Sequence, residues 1–106
     1  MTIDELYTAL KSLGMPVIYG EFTQPTALPF ITYQFAYSGD LYADNINSEE
    51  IGNYQVELYT KMKDLPAEIS VQNKLKDLNL PYSKIEAWIE SEKLRQIIYE
   101  IQIIGG

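Results

Sequence analysis

Fifteen acidic side chains, with no histidine and no cysteine, are what this 106-residue chain brings to chemistry. The commonest general base, the commonest zinc ligands and every Ser–His or Cys–His nucleophile pair are therefore missing. No GxGxxG, GxxxxGKS/T or GxSxG run is present to cradle phosphate or to raise a serine nucleophile. Carboxylates remain. Glu57, Glu86, Glu90, Glu92 and Glu100 sit on or between expected strands, and a pair ~5 to 10 Å apart, such as Glu57 with Glu86, could serve as acid and base on a glycosidic bond. Strand glutamates facing water are far commoner, and a chain this short has little room for a sugar cleft. Asp40, Asp44, Asn45, Asn47, Glu49 and Glu50 invite a calcium reading, but they do not occupy alternate positions ahead of a bidentate glutamate. The expectation is a solvated loop, no metal, no cofactor and no enzyme.

Those residues are carried on a regular alternation of elements. Ile3, Leu6, Tyr7, Leu10 and Leu13 recur at offsets of three and four, which predicts a helix over 2–13, opened by a Thr2/Glu5 capping box and stopped at Gly14. Residues 15–22 hold Pro16 and Gly20 around Val17, Ile18 and Tyr19, a short extended piece too interrupted for a central strand. A loop over 23–29 with two prolines follows, and its tip is expected to be exposed. The run FITYQFAY (30–37) alternates Ile31, Tyr33, Phe35 and Tyr37 with Thr32, Gln34 and Ala36, a strand. A turn or bulge at 38–40 and a possible extension at 41–43 lead to a polar loop over 44–52.

A second long strand over 53–61 should pair antiparallel with the first. Asp64 then caps a helix with Pro66 in its first turn and Ala67, Val71, Leu75 and Leu78 along one side, ended by Asn79 in a left-handed conformation. The tail splits at 91–93 into strands over 82–90 and 94–104, a hairpin. The order helix, strand, strand, helix, strand, strand predicts one α+β domain over 1–106: an antiparallel sheet of about four strands with two helices on one face.

A net charge of −7 repels phosphate backbones and anionic lipid, so specific nucleic-acid binding and membrane association are both disfavoured. The N-terminus lacks a basic start and an unbroken apolar run, which places the chain in the cytoplasm when made. Nine tyrosines suit either a sheet-rich core or half-buried interface positions. In IIYEIQII, Ile97, Tyr99, Ile101 and Ile103 share one face while Ile98 and Ile104 leave the other partly apolar. Such a strand is sandwiched internally or covered by another chain, and the two readings weigh equally. Trp88, between Glu86 and Glu90 on what should be the outward face, points to an interface. The expected contact surface is Trp88, Ile98, Ile104, Glu86 and Glu90. The expected docking loops hold Thr23, Gln24, Thr26 and Leu28, and Asp44, Asn45, Asn47 and Glu49.

LPFITYQFAYSGDLYADN, then IGNYQVELYTKMKD, then YSKIEAWIESEKLRQIIYEI together resemble small neck proteins of tailed phages and prophages of Gram-positive bacteria. The resemblance covers nearly the whole chain and is greatest to tail-completion, or tail-terminator, proteins. It implies a virion structural protein, assembled in the host cytoplasm into a homo-oligomer ring, commonly a hexamer, that caps the tail tube and joins tail to head. The implied partners are further copies of itself, the tail tube protein and head-completion or connector proteins. It carries over no catalytic residue. Another neck component, such as a head-completion, connector or minor capsid protein, and a small protein-binding adaptor or inhibitor remain as alternatives.

Overall fold

The structure, a computed structural model, describes residues 1–39, 41–43 and 46–104, with the side chains of 41–43 and 46–49 left aside. Two helices and seven strands follow one another as α1 (Ile3–Lys11), β1 (Val17–Tyr19), β2 (Phe30–Ser38), β3 (Leu41–Ala43), β4 (Ile46–Glu49), β5 (Ile51–Thr60), α2 (Leu65–Asp77), β6 (Ser83–Ile89) and β7 (Leu94–Ile104). Five strands form one sheet in the order β1-β2-β5-β7-β6, and β3 pairs with β4 alone. The α+β arrangement with two helices over one sheet face matches the expectation.

Three details differ from it. The extended piece at Val17–Tyr19 joins the sheet as a fifth strand, and it runs parallel to β2, so the sheet is mixed. Pro16 and Gly20 confine it to three residues at the edge, where a missing N–H costs least. The stretch expected as a polar loop contains β4, and β5 begins at Ile51, two residues earlier than its alternation suggested. β4 pairs antiparallel with β3, with a register shift between Leu41 and Tyr42. A register shift between Phe35 and Tyr37 turns Tyr37 away from the face that Ile31, Tyr33 and Phe35 share.

Both helices start where their caps dictate. The Thr2 hydroxyl accepts from the Glu5 N–H at 3.1 Å and the Glu5 carboxylate accepts from the Thr2 N–H at 3.1 Å. Asp64 accepts from the Ala67 N–H at 3.1 Å, and Asn79 closes α2 at φ 57°. Leu6 and Leu10 of α1 and Val71 and Leu75 of α2 meet Ile31, Val56, Leu58, Ile97 and Tyr99 from the sheet, all fully buried. The β5–β7 ladder fixes this face. Leu58 opposes Ile97, Val56 opposes Tyr99 and Tyr54 opposes Ile101, so one alternation supplies the whole core.

At the β1 edge the ladder ends before β2 does. Beyond Tyr33, the Phe35 N–H donates to the Tyr19 hydroxyl at 3.0 Å, so a side chain takes the place of a strand. Tyr19 also meets the Tyr33 ring edge-on, with centroids 5.2 Å apart.

Leu58→Ala, at the centre of the sheet and fully buried, is expected to cost about 2–5 kcal/mol in urea unfolding. Thr2→Ala, which removes one half of an exposed cap, is expected to cost about 1 kcal/mol in the same measurement.

Candidate functional site

Strand register decides which of the sequence-predicted residues can act together. Glu86 opposes Ile97 and Trp88 opposes Arg95, which places both on the helix-covered face, at its β6 margin. Ile98 opposes Glu57 and Ile104 opposes Ile51, on the other, uncovered face. The expected contact surface is therefore two surfaces. Sequence alternation within β6 was read correctly, but its phase against β7 was not visible without the turn at Glu90–Lys93, where Lys93 takes φ 55°. Glu57 and Glu86 are likewise on opposite faces, so they cannot flank one bond.

On the uncovered face the centre is Glu57, 5% exposed. The Thr32 hydroxyl donates to its Oε1 at 2.9 Å and the Gln34 amide at 3.3 Å, while the Gln96 amide donates to its Oε2 at 3.1 Å and to the Tyr59 hydroxyl at 2.9 Å. Burial pushes the Glu57 carboxyl above its usual range, and the bonds from Thr32 and Gln96 offset part of that. Beside this polar centre stand half-buried Ile98 and half-exposed Ile85; half-buried Ile89 and Leu94 lie toward one end of the face, and half-exposed Ile104 lies at the other, at the end of β7. Among the described residues, Glu57 and Glu100 are the charged side chains that register places on this face.

The helix-covered face carries the opposite arrangement at its margin. Glu68, in the first turn of α2, is 1% exposed, with Lys63 Nζ 2.8 Å from one oxygen and Lys84 Nζ 2.6 Å from the other. Glu86 bridges Lys63 and Arg95, and the Arg95 guanidinium lies 5.5 Å from the centre of the Trp88 ring. The Trp88 indole N–H donates to Glu90 at 2.6 Å, and Lys93 pairs with the same carboxylate. Burial alone would raise the Glu68 carboxyl, but the bonds and charges of Lys63 and Lys84 outweigh it and hold it below the usual range.

The loop over 20–29 is pinned at its ends. Phe22 meets the Phe30 ring edge-on at 5.1 Å, and Phe30 stacks on Tyr59 at 5.0 Å. Thr23 and Gln24 are exposed, while Thr26, which donates to the Gln24 carbonyl at 3.0 Å, and Leu28 are half-buried. Asp40, Asp44 and Asn45, and the side chains of Asn47 and Glu49, lie outside the described residues. Among the described residues no group of three or more acidic side chains is placed to hold a metal ion, and no helix is long and apolar enough to cross a membrane. A groove of about 640 Å³ runs where β6 stops short of the end of β7 and is lined by Leu80, Tyr82, Glu100 and Gln102 among others.

With this geometry in hand, comparison with solved structures finds a similar chain in the structure described as the virion of a native gene transfer agent particle. The likeness is one of fold. It covers 89% of this chain and 81% of that one, with a TM-score of 0.65 and 10% sequence identity. No protein-family model matches the chain, and no curated protein does.

The two carboxylates set opposite pH dependences. The folded pKa of Glu68 is lowered, so its stabilisation is complete above the ordinary glutamate range and is lost as pH falls through the folded value. That of Glu57 is raised, so its contribution is present below the ordinary range and is lost as pH rises through the folded value. Glu68→Gln should therefore destabilise the chain at pH 7 and much less at pH 3. Glu57→Gln should leave stability at pH 7 equal or higher, because Gln96 can turn its amide oxygen toward the new amide and accept from Tyr59. Urea unfolding at the two pH values reads both.

Proposed function

We propose that this chain is a structural subunit of a phage or phage-like virion, a tail-terminator protein that forms a ring of six at the end of the tail tube and joins tail to head. The observation that carries the reading is a fold shared over 89% of the chain with a chain of a gene transfer agent virion. The neck-protein motifs at LPFITY, YQVELYTK and the closing strand pair support it from the sequence side.

The contact residues divide by face. Ile85 and Ile98, beside the Glu57 network, and Ile104, at the end of β7, present apolar side chains on the uncovered face, which we assign to the tail tube or head connector. Trp88, 46% exposed, with Glu86 and Glu90 serves a separate contact on the helix-covered side. Thr23, Gln24, Thr26 and Leu28 project from the loop beside β1 and β2, and with the segment holding Asp44, Asn45, Asn47 and Glu49 they form the docking loops of this reading. A negatively charged ring gains nothing from phosphate contact and so lets DNA pass without holding it.

The purified chain, mixed with tail tubes from the phage or prophage that encodes it, should cap one tube end in negative-stain images and show a ring mass in solution. A strict monomer that also fails to bind tubes would refute the reading. Ile85→Glu with Ile104→Glu should abolish capping while changing unfolding free energy by no more than about 0.5 kcal/mol per site, since both side chains are already half in water.

A further inference from the structure

The sheet is left open along the end of β7. β6 begins at Ser83, opposite Glu100, while β7 runs on to Ile104. The ladders decide which backbone groups face the opening. The Ile31 N–H donates to the Pro16 carbonyl and the Tyr33 carbonyl accepts from the Gly20 N–H, so Ile31 and Tyr33 turn toward β1 and Thr32 and Gln34 toward β5. Carried on by register and alternation, Gln55 and Glu57 bond to β2, while Gly52, Tyr54 and Val56 bond to β7 at Ile103, Ile101 and Tyr99. The even-numbered residues of β7 therefore turn the other way, and Ile98 and Glu100 meet Ile85 and Ser83 of β6. Gln102 and Ile104 come next. Among the described residues their N–H and C=O groups meet no strand, which makes this a bare stretch of sheet edge.

The groove of about 640 Å³ at this edge has two unlike sides. On the helix-covered side are Ile101, Ile103, Leu80 and Tyr82, the last edge-on to the Tyr99 ring. On the uncovered side are Gln102 and Glu100. Glu100 is the one charged side chain in the lining, it is exposed, and among the described residues its carboxylate has no ion pair or side-chain hydrogen bond. A strand lying in line with β6 and antiparallel to β7 has its alternation fixed by these sides. Its residues opposite Ile101 and Ile103 face the apolar side, and the residue between them, bonded to Gln102, lies diagonal to Glu100. The complementary triplet is apolar, basic, apolar. None of the eight basic residues of this chain stands between two apolar ones, so a second copy does not supply it.

We propose that the end of β7 docks an extended segment of a different protein, which adds as a strand in line with β6, exchanges backbone hydrogen bonds with Gln102 and Ile104, and sets an apolar–basic–apolar triplet against Ile101, Ile103 and Glu100. Backbone bonds hold such a segment, and the pattern of its side chains selects it. The contact needs a single copy of the chain, so it stands apart from the ring reading.

A capped peptide, Ser-Thr-Val-Lys-Val-Thr-Ser, titrated into the full chain tests it by NMR. Binding is expected at a Kd of about 1 mM or tighter. The Gln102 and Ile104 amide protons, free to exchange in the unbound chain, should become protected, while those of Ile101 and Ile103, already bonded to β5, should change little. Methylating the backbone nitrogen of the peptide's lysine removes a donor without altering the side chain, and should weaken binding roughly tenfold or more. Glu100→Lys, at an exposed position, should weaken the lysine peptide roughly threefold to tenfold and favour instead a peptide with glutamate in the lysine's place. No binding at about 1 mM, a methylated peptide that binds as well as its parent, or charge exchanges that fail to compensate would each overturn the proposal. So would Gln102 and Ile104 amides that are protected in the concentrated free chain and exposed on dilution, because a second copy would then hold the edge.

Discussion

The register of β5 against β7 is the constraint on which the rest of the molecule depends. Ten consecutive residue pairs run from Ile51 opposite Ile104 to Thr60 opposite Arg95 without a shift. Side chains along a strand alternate between faces, so a slip of one residue would put Val56 and Leu58 on the face opposite Ile97 and Tyr99, sending one of the two sets to water and bringing either Glu57 or Gln96 and Glu100 under the helices. The slip is prohibited by what it would bury and what it would expose. Each neighbouring strand takes its phase from this pair, and so does every surface assigned above.

One buried carboxylate on this ladder, Glu57, and one on α2, Glu68, meet burial with opposite solutions. Glu57 and Glu68 are both nearly inaccessible, yet one is neutralised by neutral donors and the other by two ammonium groups. Hydroxyl and amide donors supply partial charges, so desolvation prevails at Glu57 and its affinity for a proton rises. Full positive charges within 2.8 Å prevail at Glu68. A buried carboxylate on a sheet face that no helix covers also fixes orientation, because Thr32 and Gln34 aim at it from β2 and Gln96 from β7, the strands on its two sides.

Much of this was legible in the residues themselves. Both helices, with their caps at Thr2 and Asp64, and the long strands β2, β5 and β7 follow from periodicity and end signals that act over a few residues. The core face of β7 was readable from Ile97, Tyr99, Ile101 and Ile103. What escaped was relational. A three-residue strand such as β1 carries too few alternations to declare itself, and its parallel pairing depends on the path of the loop over 20–29. The face of Trp88 depends on how the turn after Glu90 sets β6 against β7, which no pattern within β6 contains. Glu57 stood out only as one strand glutamate among several; its burial is produced by Thr32, Gln34, Tyr59 and Gln96 converging from two other strands and its own.

A last consequence follows from the bond between the Phe35 N–H and the Tyr19 hydroxyl. An exposed strand edge is a template for amyloid-like growth, and proteins commonly blunt it with lysine, proline or a twist. Here a phenol occupies the first N–H beyond the short strand, and the register shift after Phe35 twists the remainder away. Tyr19 thus fills, with a side chain, the hydrogen-bonding position on the edge of β2 that the three-residue strand β1 is too short to reach, and its ring is held there against Tyr33.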